Sequence, residues 1–98
     1  MQPSVDSKKL TTSDIVFTGK GRVSGFLLGM DGVNDPYITI YDGIDNTGEE
    51  FIPTNTYDAS ARGLNGVMLT FNKKCQTGCY VEITCNGTVE VVVFFNSP

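Results

Sequence analysis

The sequence predicts an all-β fold, an antiparallel β-sandwich or jelly roll of about seven to eight short strands, and three observations predict it. Short apolar stretches recur along the chain with no sustained 3.6-residue periodicity. The segments between them are built of Gly, Asp, Asn, Pro and Thr, the residues that supply positive φ, preset φ or side-chain hydrogen bonds to a turning backbone. Finally, 11 glycines and few strong helix formers weigh against helices.

In order, the candidate strands are DIVF (14–17), RVSGFLLGM (22–30), YITIY (37–41), EEFI (49–52), GVMLTF (66–71), CYVEITC (79–85) and TVEVVVFF (88–95). They are separated by TGKG, DGVNDP, DGIDNTG, the longer PTNTYDASARGLNG, NKKCQTG and NG. Within the long connection only DASAR (58–62) suits a helical turn, with Asp58 as its cap. The polar stretch 1–13 has no apolar pattern and is expected to be a flexible N-terminal arm, free or lying along a neighbour, ahead of a single domain over 14–98.

Alternation assigns faces in the last two strands. Cys79, Val81, Ile83 and Cys85 point one way, as do Val89, Val91, Val93 and Phe95, and these sets are the expected core face. The two strands are expected to form the last hairpin, in which a two-residue Asn86-Gly87 loop would pair Ile83 with Glu90 and Glu82 with Val91. A three-residue loop with Gly87 in the left-handed conformation restores apolar pairing instead. Tyr80, Val92 and Phe94 then lie side by side on the outer face.

The run CQTGCYVEITC holds all three cysteines, and the chain has no His. On one strand, Cys79 and Cys85 would be about 20 Å apart, too far for a disulfide or a shared metal ion. Free thiols rank first, used as small hydrophobes or turn-flanking residues. A Cys75–Cys79 bond across the turn ranks second and a metal site last, because C-x3-C-x5-C lacks a fourth ligand. Cys85 is expected to be buried and Cys75 to tolerate replacement.

At 98 residues the chain makes one domain that buries roughly 60 to 65% of its unfolded surface. Its net charge of −4 and the scatter of Lys8, Lys9, Lys20, Arg22, Arg62, Lys73 and Lys74 weigh against nucleic-acid binding. No apolar run reaches signal-peptide or membrane-spanning length, so a cytoplasmic setting without membrane contact is expected.

No nucleophile stands beside a base, and no catalytic residues, cofactor or metal are expected; an enzyme is the weakest class. Asp42, Asp45, Asn46, Glu49 and Glu50 offer oxygens to Ca²⁺, but their spacing is not that of an EF-hand and the same residues serve any turn. Tyr37, Tyr41, Tyr57 and Tyr80 could stack on sugars, which keeps a carbohydrate- or calcium-binding module as the alternative function. The surplus of apolar residues is more telling. Phe26, Leu28 and Met30 on one side of strand 22–30, against Val23 and Leu27 on the other, together with Tyr80, Val92 and Phe94, are candidates for an interface. The competing account is that the chain's own connection 53–65 covers them.

The layout GFLLGMDGVNDPYITIYDGIDNTGEEF, then GVMLTFNKKCQTGCYVEITCNGTVEVVVFF, resembles small β-sandwich virion proteins of tailed bacteriophages, the head decoration or cement type in particular. The resemblance covers roughly 21–95 and does not extend to the cysteines. It implies a non-enzymatic structural subunit of the virion, present in the host cytoplasm during assembly. Its implied partners are the major capsid protein or another virion protein and copies of itself, as a homo-oligomer for which a trimer is favoured.

Overall fold

The computed structural model describes residues 6–30, 33–56 (53–56 as backbone only) and 67–96. The strands are β1 (Asp6–Leu10), β2 (Asp14–Thr18), β3 (Gly21–Met30), β4 (Tyr37–Asp42), β5 (Glu49–Thr56), β6 (Val67–Cys75), β7 (Gly78–Thr84) and β8 (Val89–Asn96). They form two four-stranded antiparallel sheets, sheet A in the order β1-β8-β3-β6 and sheet B in the order β2-β7-β4-β5. The partners nest: β1 with β8, β2 with β7, β3 with β6, β4 with β5. That is one long hairpin, folded at the β4–β5 turn and rolled up, so the fold is the jelly-roll form of the sandwich.

Rolling places consecutive strands in opposite sheets everywhere except at β4–β5. This corrects the expected last hairpin. The Asn86-Gly87 turn carries the chain from sheet B to sheet A, and β7 and β8 share no ladder. Gly87 is not among the described glycines with positive φ, which are Gly19, Gly25 and Gly78. The face assignments still hold for a physical reason: the apolar sides of β7 and β8 meet across the interior rather than side by side. Cys79, Val81, Val91 and Val93 are fully buried, Val89 nearly so, and Ile83, Cys85 and Phe95 pack against them partly buried. Apolar matching across the core needs no bulge in the loop.

Further fully buried apolar side chains are Val23, Phe26 and Leu28 of β3, Ile38 and Ile40 of β4, Pro36 just ahead of β4, and Cys75 at the end of β6. Phe17 of β2 stacks on Phe95 of β8 at 5.4 Å between ring centres, tying the two sheets near one side. On the other side Phe71 of β6 meets Phe26 and Phe51 edge-on at 6.5 and 6.1 Å.

Part of the expected free arm is a strand. Residues 6–10 pair one for one with Phe95 down to Val91 of β8. Only Leu10 of β1 is buried, so the segment has no apolar alternation to betray it; the ladder, Leu10, and Lys8 hold it. Lys8 Nζ donates to the carbonyl of Ile15 at 2.7 Å and lies 3.5 Å from Asp14. β5 and β6 also run further than expected, to Thr56 and Cys75. The DASAR turn and Tyr57 lie outside the described residues, as does most of the connection 53–65.

Candidate functional site

The two outer faces of the sandwich differ in kind. On sheet A the register lines Met68 of β6, Leu27 of β3, Val92 of β8 and Lys9 of β1 across all four strands. The adjacent outward row is Thr70, Gly25, Phe94 and Ser7. Met68 is 59% exposed and Leu27 39%, with Val92 and Phe94 half-buried. Charged and polar pairs border this apolar centre toward β1 and toward the start of β3, while the β6 side carries no charge from Val67 to Phe71. Lys9 lies 3.5 Å from Glu90, and Arg22 donates to the Asn72 side-chain oxygen at 2.8 Å.

A bulge builds this face. The register of β3 shifts between Val23 and Gly25 against both neighbours, so Val23 faces the core together with Phe26 instead of lying on Leu27's side. A Cβ on Gly25 would run into the carbonyl oxygen of Leu69, so the bulge is closed to other residues. Phe26, Leu28 and Met30 therefore do not form an interface: they are core residues, at 0, 0 and 7% exposure. Tyr80 is separated from Val92 and Phe94 as well, because β7 belongs to sheet B and its outward side chains leave the opposite surface. Of the six interface candidates, Val92 and Phe94 share one outer face, and Leu27 and Met68 join them.

The outer face of sheet B is a polar network with a closed centre. Tyr41 donates to Glu82 Oε1 at 3.2 Å, Asn46 Nδ2 donates to Glu82 Oε2 at 3.4 Å, and the Tyr41 and Tyr80 rings lie 6.1 Å apart. Burial, then the bond and charge of Glu82, push the Tyr41 hydroxyl above its ordinary pKa. Thr39 and Tyr41 are buried, at 2 and 8% exposure. Among the stacking candidates Tyr37 is open, Tyr80 half-buried and Tyr41 closed.

Beside the β4–β5 turn lies an open depression of about 470 Å³ lined by Asp42, Asp45, Thr47, Glu49, Gln76 and Thr77 among others. Its carboxylates have protein partners. Asp42 accepts the backbone N–H groups of Gln76, Thr77 and Gly78, which clamps the β4 end to the β6–β7 turn. Desolvation raises its pKa, but those three donors and the charge of Lys73 outweigh it and hold the carboxyl below the ordinary range. Asp45 accepts the N–H and hydroxyl of Thr47, which lower its pKa, and Glu49 lies 3.6 Å from Lys73. Among the described residues no group of three or more His, Cys, Asp or Glu could hold a metal ion, and no helix is long and apolar enough to cross a membrane.

The three thiols are free. Cys75 corrects the expectation of a tolerant turn residue: β6 continues to it, and its side chain is fully buried in the core with Cys79. Burial pushes Cys75 up to about 11, helped by Asp42, and Cys79 up to about 12. Cys85 is only partly buried, its Sγ 3.9 Å from the Asn34 carbonyl. Comparison with protein-family models, curated proteins and solved structures finds no match to this chain.

Proposed function

We propose that this chain is a non-enzymatic structural subunit of a tailed-phage virion, a capsid decoration or cement protein, and that it docks on the particle through the outer face of sheet A. The observation that carries the reading is the open apolar centre of Leu27, Met68, Val92 and Phe94, bordered on two sides by charged residues, on a face where an antiparallel sheet would ordinarily present polar residues to water. The step from an interaction face to a virion rests on the resemblance of the strand layout to phage decoration proteins. Jelly rolls serve viral capsid and lectin domains alike, so the architecture is compatible with this role without selecting it.

The test uses particles assembled from the genome that encodes the chain. Purified particles should contain the protein in a fixed ratio to the major capsid protein. A Val92→Lys variant should stay folded and soluble while leaving the particle. Particles free of the wild-type chain, or a Val92→Lys chain retained at the wild-type ratio, would refute the proposal.

A further inference from the structure

The edges of the two sheets are guarded unequally. β1, at one edge of sheet A, carries Asp6, Lys8 and Lys9 in a five-residue strand. β2 is short and its register is broken between Ile15 and Phe17. β5 contains Pro53 and faces two register shifts. Charges, proline, bulges and shortness are the devices that stop an edge from pairing with another chain. The fourth edge has them only toward its far end, where the register against β3 shifts between Thr70 and Lys73 and where Lys73 and Lys74 sit. From Val67 to Phe71 the sequence is VMLTF, with no charge and no proline, and its ladder to β3 is regular from Val67 to Thr70.

The core is also thin there. Leu69 lies opposite the fully buried Phe26, on the inward side of the sheet, yet it remains 37% exposed. Among the described residues no strand pairs with the outer edge of β6.

We infer that the Val67–Phe71 edge pairs with the same edge of a second copy of this chain, antiparallel about Leu69, joining two A sheets into one. The segment is self-complementary in that arrangement. Val67 falls opposite Phe71 of the second copy, Met68 opposite Thr70, and Leu69 opposite Leu69, so inward side chains meet inward ones and the exposed Leu69 is covered. The two Lys73-Lys74 pairs go to opposite ends of the joint. A parallel pairing would set them side by side, which selects the antiparallel one. The backbone groups of an unpaired edge supply the hydrogen bonds, as in other cases of strand addition. This pairing is independent of what the outer face of sheet A binds.

Sedimentation of the wild type at micromolar to hundred-micromolar concentration should show a monomer–dimer equilibrium. Leu69→Lys, which copies the edge device already present at Lys73, should abolish the dimer while keeping the circular-dichroism spectrum of the sheet. Val92→Lys should remain dimeric, which separates this joint from the docking face. Hydrogen exchange of the wild type supplies a readout that does not depend on a variant folding: those amides of Val67–Phe71 that point away from β3 should lose protection on dilution while those bonded within the β3–β6 ladder keep it. A wild type that is monomeric throughout, a dimer that survives Leu69→Lys, or exchange of those outer-edge amides that ignores concentration would each overturn the inference.

Discussion

Removing the Asp42 carboxylate should loosen the joint between β4 and the β6–β7 turn by an amount the geometry bounds. Its oxygens accept N–H groups at 3.0 and 3.1 Å from Gln76, 2.9 Å from Thr77 and 3.3 Å from Gly78. Hydrogen bonds to a charged group contribute about 1.5 to 3 kcal/mol each when water cannot replace them. Here the bonds to Gln76 and Thr77 are exposed, so in Asp42→Ala water takes over most of their value; the Gly78 bond is partly buried and is lost more fully. The expected cost is therefore about 2 kcal/mol at neutral pH rather than the sum of three full bonds. For a domain of this size that is a fall in Tm of roughly 8 to 16 °C.

The pH dependence checks the cause. Because the folded carboxyl titrates below its ordinary value, folding favours its ionised form. That contribution is fully present above the unfolded pKa of about 3.9 and is lost as pH falls through the folded value. Urea unfolding from pH 7 downward should show the wild type and Asp42→Ala converging below about pH 4, with Asp42→Asn, which keeps one acceptor oxygen, in between. A variant within about 0.5 kcal/mol of wild type at pH 7, or a gap that does not change with pH, would refute the clamp.

Three further outcomes are expected. Native protein at pH 8 should leave Cys75 and Cys79 unreactive toward a thiol reagent, while unreduced denatured protein should titrate all three thiols; Cys79→Ser should lose roughly 1 to 3 kcal/mol by urea unfolding. Phe26→Ala should cost roughly 3 to 5 kcal/mol in the same assay and Val92→Ala less than about 1, the reverse of what a shared interface role would give. Gly78→Ala should destabilise by roughly 1 to 3 kcal/mol, because its Cβ would lie 2.8 Å from the Phe17 carbonyl oxygen and 2.9 Å from that of Gly43.

Much of the fold was legible because sheet physics writes itself into alternation. Val89, Val91 and Val93 of β8, Cys79 and Val81 of β7, and Phe26, Leu28 and Met30 of β3 are buried at the alternate spacing a strand requires. β4 reads instead as a short apolar run buried from Ile38 to Tyr41, and β2 buries the adjacent Val16 and Phe17; turn residues bracket them all. What alternation cannot report is which strand lies beside which. Val89, Val91 and Val93 face the core whether β8 neighbours β7 or β3, so sheet order, and with it the separation of Tyr80 from Phe94, is invisible to the pattern. Bulges hide for a similar reason. Against β8 one extra residue at Ser24 returns Val23 to the side of Phe26, and the only trace of it in the sequence is Gly25. β1 left no trace at all, since DSKKL is held by its ladder and one buried leucine. At the site, Leu27 was readable as lying opposite Phe26, whereas the clamp made by Asp42 joins residues 34 to 36 positions apart and needed the fold.

The nesting of β1 against β8 also fixes how the domain responds to tension. Asp6 lies opposite Phe95, so a pull on residue 6 against residue 96 opens the β1–β8 ladder from that end one rung at a time instead of shearing all its bonds together. Once β1 has peeled away, Leu10 leaves the core and the edge of β8 lies bare. Loaded this way the domain should yield at low force, and a tether through both ends would be a fuse rather than an anchor.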